Sequence, residues 1–312
     1  MVQEVILKIL VIFIIIAIGF AARKTNLVEE SVSSALSSVL FNILTPCMVI
    51  GTMQDQEFNA DSFNDTVWSF VSYTLVLLIM GFLSFAMMKL LKIKESERGI
   101  YRIQVVFTNI GFMGIPLTKV IFGDEAEFII LIMNIAYVVL LYSFGVFLLL
   151  YKKGEKAFDA ETAKKMLNLP LICSVIGFVL YLTGWRLPDF VNESINLIGD
   201  TVVPVSMFII GVQLCDSSIK RLLNKENIMF AVLSLIVIPV MTLGIGVLLP
   251  QSDMVTLTLV FGMAMPSGAM CAILAEQFDK DMLLASEGVA ITTFFSLISL
   301  PVWAIVLSSI FL

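Results

Sequence analysis

Residues 109–119, NIGFMGIPLTK, decide how this chain is read. They sit in a run apolar enough to cross a bilayer. Yet they gather an amide (Asn109), two glycines (Gly111, Gly114), a proline (Pro116) and a lysine (Lys119). Proline cannot donate a backbone hydrogen bond, and its ring clashes with the carbonyl four residues earlier. Backbone groups freed in this way are costly against lipid, so such a break persists only where protein or a watery cavity satisfies them. The stretch therefore predicts a membrane helix interrupted at Pro116, with Gly111 and Gly114 admitting another backbone close by.

The rest of the chain fits a lipid solvent. Of its 312 residues, 59% are hydrophobic and 14% charged, and the mean hydropathy is +1.01. A soluble chain of this length could not hide that much apolar surface. The net charge of −6 comes with no basic patch interleaved with aromatics, so no nucleic-acid partner is expected. Histidine is absent, which removes the commonest metal ligand and neutral-pH proton carrier. No spaced carboxylate cluster replaces it, so no metal site and no cofactor are expected. Cys47, Cys173, Cys215 and Cys271 are scattered through apolar segments and read as small packing residues. Without a facing aspartate pair or a serine with a base, an intramembrane enzyme is not expected.

Spans of about 20 apolar residues recur near 5–22, 33–53, 66–91, 101–122, 126–151, 166–184, 192–214, 227–249, 254–277 and 285–311. The first follows Glu4 and precedes Arg23 and Lys24, which argues for a retained helix with its N-terminus outside rather than a cleaved signal. With that orientation, sixteen of the nineteen basic residues fall on one side, while connections such as QDQEFNADSFND (54–65) and GDE (123–125) are acidic. The expectation is a multi-pass protein of the plasma or bacterial inner membrane with both termini outside.

A short basic loop, 152–165, divides the chain into a first five-helix half, 1–151, and a second, 166–312. Five spans is an odd number, so the second half is inverted relative to the first. Helix-breaking prolines recur at matching places: Pro46 and Pro116 in one half, Pro204 and Pro266 in the other. Matched breaks in inverted halves are the best sequence pointer to a carrier's midplane binding site. Each break frees the start of a second half-helix, whose amides and dipole attract anions. Any one of these prolines could serve packing alone; the symmetry is what packing does not explain.

TNIGFMGIPLTKVIFG (108–123) resembles the fourth-helix motif of the auxin efflux carrier family. MPSGAMCAILAEQFDKDMLLASEGVAITTFFSLISLPVWAIVL (265–307) is similar to that family's last two helices, and IGFAARKTNLVEESVSSALSSVLFNILTPCMVI (18–50) resembles its opening pair. The resemblance implies an all-α polytopic membrane protein of ten transmembrane helices, built as two inverted five-helix repeats with broken, crossing helices 4 and 9. It implies a secondary carrier of organic anions, in which helices one, two, six and seven support a mobile core that moves elevator-fashion, often as a homodimer. The short loop and the reading Asn168-Leu169-Pro170, where plant members have Asn-Pro-Asn, fit compact bacterial members associated with malate, malonate and similar carboxylates rather than with auxin.

By this resemblance Asn109, Gly114, Pro116, Pro266, Ser267 and Gly268 line the substrate site, with Asn42 and Asn134 as further cavity-lining candidates. Asn109 offers a donor and an acceptor to a carboxylate, although an interhelical hydrogen bond is its ordinary alternative. Lys119, Asp200 and Glu276 are candidate charge or coupling groups for protons or sodium; snorkelling and capping are their alternatives. Two other classes stay open: an organic-anion carrier of the bile-acid/sodium symporter kind, and a membrane sensor on the same scaffold. The expected partners are a small organic anion, the lipid bilayer and a second copy of the chain.

Overall fold

The computed structural model describes residues 2–55, 60–151, 169–216, 223 and 225–312, so the basic loop 152–165 lies outside the described residues. The first part of the chain forms α1 (Val2–Lys24), α2 (Glu30–Val39), α3 (Thr45–Asp55), α4 (Ala60–Leu90), α5 (Arg98–Val106), α6 (Ile115–Phe122), α7 (Asp124–Leu140) and α8 (Val146–Leu150). The second forms α9 (Leu169–Thr183), α10 (Asp189–Gly199), α11 (Val202–Asp216), α12 (Lys225–Val232), α13 (Ile238–Gly246), α14 (Asp253–Met263), α15 (Ala269–Gln277) and α16 (Met282–Phe311). Among the described residues there is no strand, only one isolated bridge.

Among the described residues, six helical stretches are long and apolar enough to cross a bilayer: Ser31–Asp55, Phe63–Leu90, Asp124–Leu150, Asp189–Cys215, Lys225–Gly246 and Met282–Phe311. Shorter apolar helices include Ile110–Phe122 and Asp253–Met263. The protein is therefore a multi-pass membrane protein. On α1, Leu7, Val11, Ile14 and Ile18 are exposed at spacings of one helical turn, a stripe that water would not tolerate and lipid does. The opposite face, with Ile12 and Ile16, is buried. There α1 meets α11 backbone to backbone: a Cβ on Gly19 would collide with the Phe208 carbonyl, and one on Gly211 with the Ile16 carbonyl. Small residues permit this approach where no hydrophobic force drives helices together.

The helices pack in two groups. α1, α2, α3, α9, α10 and α11 pack chiefly on one another, whereas α4 to α8 and α12 to α16 form the second group.

The prolines act differently from the sequence expectation. Pro46, Pro116 and Pro239 each follow a π turn by two residues, the turns being Leu40–Leu44, Ile110–Gly114 and Leu233–Val237. The carbonyl with which each proline ring would clash belongs to Asn42, Phe112 or Leu235, all inside those turns. One wider turn relieves the clash and the helix continues. Pro46 and Pro116 are thus absorbed rather than breaking the chain. Pro204 stands in the first turn of α11, after a pause at Asp200 and Thr201, a position where a missing N–H costs nothing. Pro301 lies inside α16 without interrupting it. Of the four expected breaks, Pro266 alone lies in a true interruption of this kind, residues 264–268 between α14 and α15. Its counterpart is Phe107–Asn109, seven residues ahead of Pro116.

Candidate functional site

The two interruptions meet. Phe107 leaves α5 with φ −101° and ψ 92°, an extended turn of the chain. Asn109 N–H donates to the Pro266 carbonyl at 2.7 Å, and Gly268 N–H donates to the Phe107 carbonyl at 3.0 Å. Thr108 and Ser267 face each other as an antiparallel bridge. Backbone groups that a membrane helix would have paired internally are paired across the gap instead, which is how the breaks survive.

Side chains complete the joint. Thr108 Oγ1 donates to the Gly262 carbonyl at 2.8 Å, Ser267 Oγ donates to the Gln104 carbonyl at 3.1 Å, and Ser267 N–H donates to Thr292 Oγ1 at 3.1 Å. Thr108 and Ser267 are both almost fully enclosed. The close backbone approach expected at Gly111 and Gly114 occurs at Gly268. A Cβ there would lie 3.0 Å from the Thr108 carbonyl oxygen and from Tyr137 Oη, and 3.1 Å from the Phe107 carbonyl oxygen. Gly114 instead packs against the side chains of Ile110, Ile130 and Met265, and Gly111 borders open space with Asn134 Oδ1 3.8 Å from its Cβ direction.

Beside the joint lies a crevice of about 50 Å³ whose walls include Thr45, Asn109, Gly111, Asn134, Tyr137 and Ala269. Two amides, two phenols (Tyr137 and Tyr142) and a hydroxyl thus border a small space at the start of α15. Behind Tyr137, Phe107 meets its ring edge-to-face, with centroids 5.6 Å apart. Such a site offers neutral donors and a helix start to an anion, with no carboxylate to repel it.

The other expected residues separate from this point. Asn42 is exposed in its π turn, and its Nδ2 donates to the Ser38 carbonyl at 2.9 Å; Thr45, three positions on, borders the crevice in its stead. Pro116 sits in the first turn of α6, beyond the joint. The side chain of Glu276, on α15, lies outside the described residues. Lys119 and Asp200 come together elsewhere. Lys119 Nζ is 3.3 Å from Glu127 Oε2 and 3.3 Å from Asp200 Oδ1. Glu127 is 1% exposed, Lys119 29% and Asp200 67%. These three border a polar cavity of about 210 Å³ with Thr52, Asp55 and Asp124. Asp55 is held there by Asn192 Nδ2 at 3.2 Å and Asn196 Nδ2 at 3.0 Å. The Lys119–Asp200 pair joins the two packing groups, as does Lys8 Nζ, which donates to the Ile121 carbonyl at 3.1 Å.

Sequence reasoning missed Thr108, Gln104, Tyr137 and Glu127. A signal existed for the first: a hydroxyl residue directly precedes both Asn109 and Gly268, and the two hydroxyl residues form the bridge. Glu127 stands eight positions after Lys119, across the Gly123 turn, so no helical spacing announces the pair.

A helical, multi-pass chain with two interruptions paired to each other has the build of a membrane carrier. The family profile described as membrane transport protein, that of the auxin efflux carriers, matches residues 4–165 and 159–304, and the chain belongs to that family. It is similar to the uncharacterized transporter MJ1031 of Methanocaldococcus jannaschii, 23% identical over 309 residues that cover 96% of this chain and 97% of the relative. An uncharacterized transporter of Methanothermobacter thermautotrophicus is 23% identical over 300 residues, with 96% and 97% covered. The uncharacterized transporter YfdV of Escherichia coli K12 is 22% identical, with 94% of each chain covered.

Proposed function

We propose that the protein is a secondary carrier of small organic anions, mono- or dicarboxylates of the malate and malonate size, in the cell membrane. The observation that carries this reading is the hydrogen-bonded meeting of the two interruptions beside Asn109, Asn134 and the start of α15. A carboxylate arriving there finds amide donors and the start of a helix, which favour negative charge. The same reading takes the chain as ten membrane helices in two inverted halves, 1–151 and 166–312, with both ends outside. It takes α1, α2, α3, α9, α10 and α11 as a support past which the other helices slide, with two copies joining through the support. The separation of the helices into two packing groups favours sliding over a local gate.

The experiment is binding of malonate and acetate to the purified protein, followed by uptake into proteoliposomes. Asn109→Ala is expected to weaken binding at least fivefold while the protein purifies and unfolds as the wild type does. Unchanged affinity in that variant would remove Asn109 from the site. Uptake with and without sodium or proton gradients identifies any coupling ion.

A further inference from the structure

The crevice at the joint holds about 50 Å³. The cavity at Lys119 holds about 210 Å³. The larger space is bordered by a cation whose two partners differ sharply. Glu127 is enclosed and lies within the same packing group as Lys119. Asp200 is two-thirds exposed and belongs to the other group. Breaking the Glu127 contact would strand a buried charge, which is strongly unfavourable. Releasing Asp200 returns an already solvated carboxylate to water, which costs little.

Asp200 is thus the replaceable ligand of Lys119, and it carries the functional group of the proposed cargo. We propose that Lys119 is an entry subsite for carboxylates, separate from the joint, and that Asp200 is its built-in competitor. An incoming carboxylate takes the place of Asp200 on Lys119, and Asp200 turns to water. The other acidic walls have partners of their own: Asp55 accepts from Asn192 and Asn196, Glu127 pairs with Lys119, and Asp124 stands at the start of α7. The exchange also undoes a bond between the two packing groups, so arrival of cargo would loosen the interface across which the carrier moves. This inference rests on the organic-anion reading above.

The test is malonate and acetate titration of purified full-length protein by calorimetry, with chloride as the simple-anion control. Asp200→Asn is expected to tighten malonate binding about two- to fivefold, the range an exposed ion pair is worth. Asp124→Asn removes an equal charge from the same cavity without freeing Lys119 and is expected to change affinity less than Asp200→Asn. The double variant Lys119→Gln/Glu127→Gln removes both charges together, so no buried carboxylate is stranded, and adding Asp200→Asn to it is expected to give no gain. Equal gains from Asp124→Asn and Asp200→Asn overturn the inference, because a general field would explain both. A gain that persists without Lys119, chloride competing as well as malonate, or no gain in Asp200→Asn also overturns it. If neither wild type nor any variant binds a carboxylate, the organic-anion reading falls with it; if the wild type binds through Asn109 but Asp200→Asn changes nothing, this inference alone falls.

Discussion

Replacing Gly268 with alanine tests the joint at its tightest point. The new methyl group would stand 3.0 Å from the Thr108 carbonyl oxygen and 3.1 Å from the Phe107 carbonyl oxygen, several tenths of an ångström inside ordinary contact. Neither carbonyl can retreat independently. Phe107 C=O accepts the Gly268 N–H itself, and Thr108 is anchored through its hydroxyl to Gly262. The third neighbour, Tyr137 Oη at 3.0 Å, is the end of a side chain whose ring is enclosed, so it gives way only by moving the crevice wall. Overpacking of this kind costs roughly 1–3 kcal/mol. Removing a glycine returns about 0.4–1 kcal/mol by restricting the unfolded chain. The net expectation is a loss of about 1–2 kcal/mol, seen as a lower midpoint in thermal unfolding of detergent-purified protein. Gly244 is the control: nothing lies within 4 Å of its Cβ direction, and Gly244→Ala inside α13 is expected to be neutral or stabilising by up to about 1 kcal/mol. If Gly268→Ala unfolds with the wild type while Gly244→Ala behaves as stated, the two interruptions are not pressed together as described.

Gly111→Ala is expected to leave stability nearly unchanged but to weaken malonate binding, because its methyl group would enter the crevice beside Asn134; calorimetry checks this. Pro116→Ala is expected to have little effect on binding, since the interruption lies at 107–109 and the π turn has absorbed the proline; loss of binding in that variant would return the break to Pro116. Lys119→Met strands the enclosed Glu127 carboxylate and is expected to destabilise by roughly 1–3 kcal/mol, less than a fully buried pair because Lys119 is 29% exposed, with Lys119→Met/Glu127→Gln recovering part of the loss. A cysteine placed at Glu125 is expected to react with an impermeant reagent added outside the cell; labelling from the cytoplasmic side alone would reverse the assigned orientation.

Much of the architecture was legible because lipid imposes a simple code. Long apolar runs and glycines at close helix contacts are each demanded by the solvent, whatever the neighbours do. The region where the two interruptions meet was legible for the same reason: Asn109 and Pro266 are conspicuous among apolar neighbours. Which residue breaks the chain was not legible. A proline announces a clash with one carbonyl, but whether the helix answers with a wider turn, as before Pro46 and Pro116, or stops, as at 264–268, depends on what waits to receive the freed groups. At Asn109 the receiver is the carbonyl of Pro266, a contact no local pattern encodes. The pairing of Lys119 with Glu127 and Asp200 was hidden likewise, since two separate turns of chain must meet before the three charges do.

The Thr108–Ser267 bridge also constrains how the protein is made. Ser267 Oγ reaches a carbonyl 163 positions earlier in the chain, at Gln104. At synthesis rates of about 5–20 residues per second, residues 104–109 emerge roughly ten to thirty seconds before their partners exist. Throughout that interval an open stretch of backbone stands at membrane depth with nothing to bond, which lipid penalises heavily. The nascent first half must therefore wait at a wet or protein-lined site, or enter the bilayer provisionally as an unbroken helix and be reopened when the second half arrives.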